Sequence, residues 1–242
     1  MPIEESQDGG YRSLFSHPRM VRDLFRGFPA EEWIGWLDLD SLERQEVTPR
    51  EPPLDRLDEV LLWRLRWQGG SAWVHFLLKP QRETDLAMAL RMSFYRELLY
   101  QDWLRQGATA WLPVALPVVL YAGEARWQAP RDALELFFPL PPALQRHAPR
   151  TRYLLLDVLH DPIPLTAGED NLVALLCRLE RSRTSEAIDA LLERLISLVS
   201  GPGDEALRQS WSAYLGSFLP RRFPDLFSLE MMETWAPGGV LA

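Results

Sequence analysis

The sequence predicts an α/β core followed by a helical C-terminal extension. Short segments rich in valine, leucine and aromatic residues recur before residue 160, with a long helical pattern between them. After residue 170 the apolar spacing is helical throughout. Strands with an intervening helix, followed by helices alone, are typical of this architecture. We therefore expect one domain over residues 1–165 and a helical extension over residues 166–242.

The N-terminal part of the chain contains a predicted helix. Val21, Leu24 and Phe25 recur at helical spacing after Pro18, a residue that suits the first position of a helix. The Gly-Phe-Pro sequence at 27–29 interrupts this pattern, and a second short helix is expected over 30–36.

A β-hairpin is predicted next. Residues 59–67 and 71–78 are rich in valine, leucine, tryptophan and phenylalanine, and Gln-Gly-Gly-Ser separates them. Lys79, the only lysine in the chain, follows the second strand. After it, Thr84 can cap a long helix that ends near Gly107. The predicted apolar stripe of that helix comprises Leu86, Leu90, Phe94, Leu98 and Leu99.

The remaining elements follow from similar patterns. An apolar run over 114–121, which ends at Ala-Gly, predicts a buried strand, and a further strand is expected over about 152–159. Beyond residue 170 three helical segments follow, and Gly-Pro-Gly at 201–203 separates the last two.

Composition narrows the class of protein. The net charge of −8 argues against non-specific nucleic-acid binding by the whole surface, although it leaves room for a local basic groove. The chain lacks an apolar run of 18 residues, so we expect no membrane span, and its acidic first residues predict no secretory signal. Cys177 alone cannot form an internal disulfide or a cysteine-based zinc site. These features favour a cytoplasmic protein.

Common catalytic motifs are absent from the sequence. There is no phosphate-binding GxxxxGK[ST] loop, no GxGxxG after a strand and no GxSxG elbow. The four histidines, His17, His75, His147 and His160, are scattered, which favours surface or packing roles. Asp157 ends a predicted strand and could be catalytic, although carboxylates at strand ends are common.

The hairpin and the helix after it resemble the core of a metal-dependent nuclease. Such a core places one carboxylate on a strand, and a second carboxylate with a lysine or glutamine at i, i+2 on its neighbour, so that both members of the second pair share a face. The carboxylates hold Mg²⁺, which activates water. In this chain the i, i+2 pair is Lys79 and Gln81.

Several segments, in order, carry a family resemblance. These segments are QDGGYRSLFSHPRMVRDLFRGF, VLLWRLRW, WVHFLLKPQRETDLAMALRM, LPVALPVVLYAGEARWQAP and RYLLLD. Together they resemble the Rpn recombination-promoting nucleases, also called YhgA-like putative transposases. The resemblance implies a PD-(D/E)XK, restriction-endonuclease-like core, with a mixed sheet flanked by helices. It also implies Mg²⁺-dependent DNA cleavage linked to recombination, with DNA as the partner.

The resemblance also assigns the site residues. The family's N-terminal His-Asp falls on Gln7 and Asp8, so the acid is kept. The family's strand aspartate falls on Val60, and its second carboxylate falls on Lys79, with Gln81 kept. A hydrocarbon and a cation thus replace the two central ligands, and an ammonium beside a divalent ion is repulsive by several kcal/mol in order of magnitude.

Three hypotheses follow from these replacements. The first is a degenerate nuclease that still binds DNA or a partner. The second is an active nuclease whose Mg²⁺ ligands have moved to Asp8, Asp58 and Glu83. The third is an interaction protein that forms a homodimer through a C-terminal stripe of Trp211, Tyr214 and Phe218, although the same spacing favours an intramolecular core.

Overall fold

The chain forms two compact units. One unit comprises residues 28–162, and the other comprises residues 1–27 together with residues 163–242. The computed structural model describes residues 3–27, 32–46, 60–68, 73–107, 111–163 and 168–223, with side chains from residue 9 onward.

The first unit is built on a five-stranded mixed sheet whose strands lie in chain order. The first three strands are antiparallel, and the third, fourth and fifth are parallel. This arrangement confirms the predicted mixed α/β class. The strands are β1 (Leu37–Gln45), β2 (Leu61–Trp67), β3 (Trp73–Gln81), β4 (Val114–Tyr121) and β5 (Leu154–Asp157).

The predicted hairpin is confirmed by the pairing of β2 with β3, which runs from Leu61 opposite Leu78 to Arg66 opposite Trp73. However, β3 extends to Gln81, so Lys79 lies inside the strand instead of after it. Strand β1 was not predicted from the sequence. Its register shifts between Asp38 and Glu43, and such an irregularity interrupts the alternation on which strand prediction depends.

Helix α3 (Met88–Arg105) connects β3 with the parallel strand β4. The prediction that Thr84 caps it is wrong, since the helix begins at Met88 and has no side-chain cap. The Thr84 hydroxyl lies 3.5 Å from the Tyr121 hydroxyl. The Asp85 carboxylate accepts a hydrogen bond from the Ala87 amide and thereby shapes the turn before the helix.

The predicted apolar stripe of α3 is also largely wrong. Leu86 is 66% exposed, and Leu90 and Phe94 are each 39% exposed. The prediction placed the stripe one or two positions away from the true buried face, because leucines outside that face share its helical period. The residues that are buried are Met88, Ala89, Met92, Tyr95, Leu98 and Leu99.

The connection from β4 to β5 contains little regular structure. It includes a 3₁₀ helix at Ala133–Leu136 and a single turn, α4 (Pro142–Gln145). Another 3₁₀ helix, Glu32–Trp36, precedes β1 and lies within the short helix predicted over 30–36. The strand predicted over 114–121 is confirmed as β4, and the one predicted over 152–159 is shortened to β5.

The second unit is helical and uses both ends of the chain. Of its five described helices, the first packs on the fifth, the second on the third, and the third on the fourth. The division into domains 1–165 and 166–242 stays a prediction, but the first 27 residues group with the C-terminal helices. The five helices are α1 (Ile3–Leu14), α2 (Pro18–Gly27), α5 (Leu172–Arg181), α6 (Ser185–Val199) and α7 (Glu205–Arg222).

The apolar stripe of α7 lies inside this helical unit. Trp211, Tyr214 and Phe218 are at most 3% exposed. The intramolecular-core interpretation is therefore confirmed, and the expectation that this stripe is exposed is wrong, because its period matches the packing of α7. Formation of a homodimer stays a prediction. None of the described helices is long and apolar enough to cross a membrane.

Candidate functional site

Three polar residues form a row across the sheet where its parallel strands end. Gln81 is the last residue of β3, Tyr121 of β4 and Asp157 of β5. Gln81 pairs with Tyr121, and Tyr121 pairs with Asp157, so the three side chains share one face of the sheet. We call them the carboxyl-end row. Ligands of α/β proteins bind most often outside the carboxyl ends of parallel strands.

Lys79 lies two residues before Gln81 on the same face. It pairs with Val119 of β4, and its side chain is buried. Val60 comes just before β2. If the β2–β3 register is extended by one residue, Val60 pairs with Lys79, on the side of β3 away from β4. Val60 is buried in the apolar cluster that packs under α3. A hydrocarbon and a cation therefore occupy this face just inside the carboxyl-end row.

Neither of these side chains is a metal ligand in its usual state. Valine has no donor atom, and a protonated lysine offers three hydrogen-bond donors and no lone pair. Mg²⁺ and Ca²⁺ require oxygen ligands. The two positions do not fit a divalent cation, whereas a buried ammonium fits an anionic oxygen.

The turn after β3 is fixed by backbone hydrogen bonds. The Gln81 side-chain amide donates to the Glu83 carbonyl at 3.0 Å, and the Ala122 amide donates to the Gln81 carbonyl. Glu83 itself is exposed. Arg82 donates weakly to the Ala122 carbonyl across the same turn, at 3.4 Å. Gln81 thus holds the junction between β3 and α3.

Tyr121 and Gly123 pack closely at the end of β4. The Tyr121 hydroxyl donates to the Ala125 carbonyl at 2.7 Å, which folds the chain back over the ring. A Cβ atom at Gly123 would lie 2.2 Å from both the Tyr121 hydroxyl and the Arg82 carbonyl. Only glycine therefore fits at residue 123 without displacing backbone. Trp127 packs edge-on against Tyr121, with ring centroids 4.8 Å apart.

Asp157 is as deeply buried as Tyr121, at 2% exposure. Its Oδ2 accepts a hydrogen bond from the Trp127 amide, and its Oδ1 accepts one from the His160 amide. The same Oδ1 lies 2.8 Å from Nδ1 of the His160 ring. A carboxylate at Nδ1 fixes the ring and leaves Nε2 as the atom that can exchange a proton or bind a ligand. Asp157 therefore orients the His160 ring.

The residues named by the hypothesis of moved ligands are only partly described. Glu83 is exposed beside the turn after β3. Asp8 lies in α1, but its side chain is outside the described residues, and so is the whole of Asp58. Among the residues that the structure does describe, no three histidine, cysteine, aspartate or glutamate side chains come together as a metal site. Ligation by Asp8, Asp58 and Glu83 stays a prediction.

Sequence reasoning found Lys79 and Gln81 as a pair on one face and Asp157 singly, but it did not find the row. It also treated His160 as a scattered histidine. Asp157 and His160 form a hydrogen-bonded pair, and the local sequence signal for it is their i, i+3 spacing after an apolar strand. The registers that bring Gln81, Tyr121 and Asp157 together depend on parallel pairing across long connections, which no local pattern reveals.

Comparison with known proteins finds relatives that are named as nucleases. It is 24% identical over 116 residues to "Recombination-promoting nuclease RpnD" of Escherichia coli O157:H7, which covers 48% of this chain and 45% of RpnD. It is 23% identical over 199 residues to "Recombination-promoting nuclease RpnC" of Escherichia coli strain K12, which covers 82% of this chain and 65% of RpnC. The matched segments thus span less than two thirds of either relative.

A third relative bears a different kind of name. The chain is 24% identical over 88 residues to "Putative inactive recombination-promoting nuclease-like protein YjiP" of Escherichia coli strain K12, which covers 36% of this chain and 85% of YjiP. No solved structure matches the chain. The family described as "Putative transposase, YhgA-like" matches residues 5–206. Because that match spans most of the chain and agrees with the named relatives, the chain belongs to the YhgA-like putative transposase family, which is similar to the Rpn recombination-promoting nucleases.

Proposed function

We propose that this chain is a DNA-binding member of the recombination-promoting nucleases whose central metal site is degenerate. The observation that carries the proposal is the buried pair of Lys79 and Val60, which occupies the two positions where the family resemblance expects carboxylates. A mixed sheet with a helix between two parallel strands agrees with a PD-(D/E)XK-like core, which we propose as the fold family.

Electrostatics supports binding without cleavage. An ammonium at about 4 Å from a divalent ion is repelled by several kcal/mol even at an effective dielectric constant of about 20. The same ammonium attracts phosphate oxygens, as lysines do in most protein–DNA interfaces. Substituting Lys79 for a carboxylate therefore disfavours Mg²⁺ and favours the DNA backbone. A relative named as inactive agrees with loss of cleavage within this group of proteins.

Plasmid cleavage by the purified full-length chain tests the proposal. With Mg²⁺ or Mn²⁺ present, we expect no nicking above a buffer control. A labelled duplex should still bind, and its affinity should fall as salt rises. The double variant Val60→Asp/Lys79→Glu restores both carboxylates and should acquire metal-dependent nicking. Val60→Asn/Lys79→Gln is the matched control, since it adds polar groups of similar size without charge.

The second hypothesis makes the opposite prediction. If Asp8, Asp58 and Glu83 hold a relocated Mg²⁺, the wild-type chain nicks plasmid, and Asp8→Ala or Glu83→Ala abolishes the nicking. That result would overturn the degenerate-site proposal. If the wild type neither nicks nor binds duplex DNA at low salt, the proposed DNA-binding function is wrong as well.

A further inference from the structure

A cavity rich in tryptophan lies away from the carboxyl-end row. It has a volume of about 750 Å³, within the range of small-ligand sites. Four indoles contribute to its lining, and they come from separate segments of the sheet unit: Trp33, Trp67, Trp73 and Trp111. Trp73 is the first residue of β3, and Trp111 comes shortly before the first residue of β4. The carboxyl-end row is formed by the last residues of β3, β4 and β5, so the cavity is a separate site.

Much of the apolar surface around this cavity faces solvent. Trp111 is 91% exposed, and Val114 is 57% exposed. An isolated exposed apolar residue is ordinary, but contiguous exposed apolar surface at a cavity marks a site of interaction. With 91% of its surface exposed, the Trp111 indole can stack with a ligand.

Positive charge lies next to the indoles. The guanidinium of Arg64 lies 4.2 Å from the centroid of the Trp73 ring, and that of Arg66 lies 5.3 Å from it. Glu43 neutralises Arg64 through two hydrogen bonds. Arg66 is exposed, and among the described residues no carboxylate lies within ion-pair distance of it. An exposed cation, Arg66, therefore lies beside the Trp73 wall of the cavity, although the chain as a whole is acidic.

We propose that this cavity binds an unpaired base of single-stranded DNA, with a neighbouring phosphate on Arg66. Open indoles offer a stacking surface to every base, and an adjacent arginine follows the backbone. Bases inside a duplex are stacked on one another and cannot reach such a surface. The inference rests on the proposed DNA-binding function and adds to it the form of the DNA, namely a strand that is at least locally single.

Two oligonucleotides of equal length and charge test this proposal. One is oligo-dT, and the other carries the same phosphates with an abasic stretch. Anisotropy titrations with the full-length chain at one fixed salt concentration should give oligo-dT at least about tenfold higher affinity. Trp111→Ala should remove most of that ratio, whereas Trp111→Phe should keep most of it. Arg66→Gln should weaken both oligonucleotides and reduce the salt dependence.

Matched controls separate the cavity from the general surface. Phe138 is 85% exposed and does not line the cavity, so Phe138→Ala should leave the ratio unchanged. Arg150 is likewise exposed, and Arg150→Gln should have no effect. Unfolding curves of all variants check that each is folded; a Trp111→Ala protein that unfolds is replaced by Trp111→Gln, and the same loss is expected.

Each outcome decides the proposal. Equal affinity for the two oligonucleotides, or a ratio that survives Trp111→Ala, overturns it. Duplex binding without a preference for bases overturns it while leaving the proposed DNA-binding function intact. Absence of all DNA binding overturns both. If Trp111→Ala instead changes self-association or stability and leaves oligonucleotide binding unaltered, a second copy or this chain itself covers the cavity, and the proposal fails.

Discussion

Lys79 is the residue on which the functional assignment depends. It lies in β3, which has paired strands on both sides, and its side chain is 9% exposed. An ammonium removed from water costs several kcal/mol unless anionic or polar groups surround it. Lys79 already has an interaction within the chain that offsets part of that cost, and a bound phosphate would add to it. The same residue therefore explains both the proposed loss of metal and the proposed gain in phosphate affinity.

Asp157 illustrates how a catalytic-looking carboxylate can be structural. A carboxylate at the end of a parallel strand is a natural candidate for catalysis. Here three hydrogen bonds from Trp127 and His160 occupy its two oxygens in a buried setting. Its negative charge holds a loop and a histidine ring in place. In this pair of residues the atom that can meet a ligand is Nε2 of His160, whose side chain is 25% exposed.

His75 gives a prediction at the scale of one residue. Burial, together with the nearby Arg64 guanidinium, lowers its pKa from 6.5 to about 4. The folded chain thus keeps His75 neutral at pH values where the unfolded chain binds a proton. Stability is therefore lost as the pH falls from 6.5 towards 4, by about 3 kcal/mol from this residue. Urea unfolding at pH 7.5 and at pH 4.5 measures that loss.

Replacing the ring isolates the contribution of His75. His75→Phe keeps an aromatic ring against Trp103, whose centroid lies 4.5 Å away, and removes the buried Nδ1, which finds no hydrogen-bond partner among the described residues. This variant should lose about 2–3 kcal/mol less than the wild type between the two pH values. His147→Phe, at an exposed histidine, is the control. Parallel pH dependences in the wild type and His75→Phe would contradict the prediction.

At the scale of elements, the sequence predicted the strands whose residues are mostly apolar. Strands β2, β3 and β4 are short runs in which apolar residues predominate, and such runs bounded by turn residues indicate strands. Strand β1 was missed, because it carries several charges and an irregular register. Helix α3 was predicted, but the wrong face was assigned. Leu86 and Leu90 are spaced like the residues of the buried face, but they point to another side of the helix.

The candidate site likewise contains residues that the sequence predicted and residues that it did not. The i, i+2 relation of Lys79 and Gln81 is local, so sequence alone was enough to place them on one face. The neighbours Tyr121 and Asp157 come from strands that pair in parallel across long connections. Their registers follow from packing of the whole sheet, which no local period encodes. The tryptophan cavity escaped prediction for the same reason, since its indoles come from four segments of the chain.

Helix α5 gives a prediction at the element scale. The Asn171 side chain accepts hydrogen bonds from the Val173 and Ala174 amides and donates to the Asp23 carbonyl, and the residue is buried. Asn171→Ala should therefore lower the unfolding free energy by about 2–3 kcal/mol. Thr184→Ala removes an exposed cap of α6 with one long hydrogen bond and should cost less than about 1 kcal/mol. Equal losses in urea unfolding would contradict this account.

At the scale of the whole molecule, the two ends of the chain build one helical unit. Tyr11 of α1 and Tyr214 of α7 both donate hydrogen bonds to Oε1 of Glu180 in α5, at 3.0 Å and 2.7 Å. These bonds join residues 169 and 34 positions apart. Glu180 is buried, so these two hydrogen bonds and its other contacts within the unit stabilise the carboxylate in place of water. One carboxylate therefore couples the first helix to the last.

This coupling predicts how the helical unit opens. Glu180→Ala leaves both tyrosine hydroxyls without their shared acceptor and should cost about 2–4 kcal/mol. Because α1 and α7 contact the same carboxylate, amide hydrogen exchange in the full-length chain should accelerate in both helices together. Asp189→Ala, at an exposed position of α6, is the control and should leave both unchanged. Faster exchange confined to α5 would contradict the coupling, since the N-terminal helix would then hold its place without Glu180.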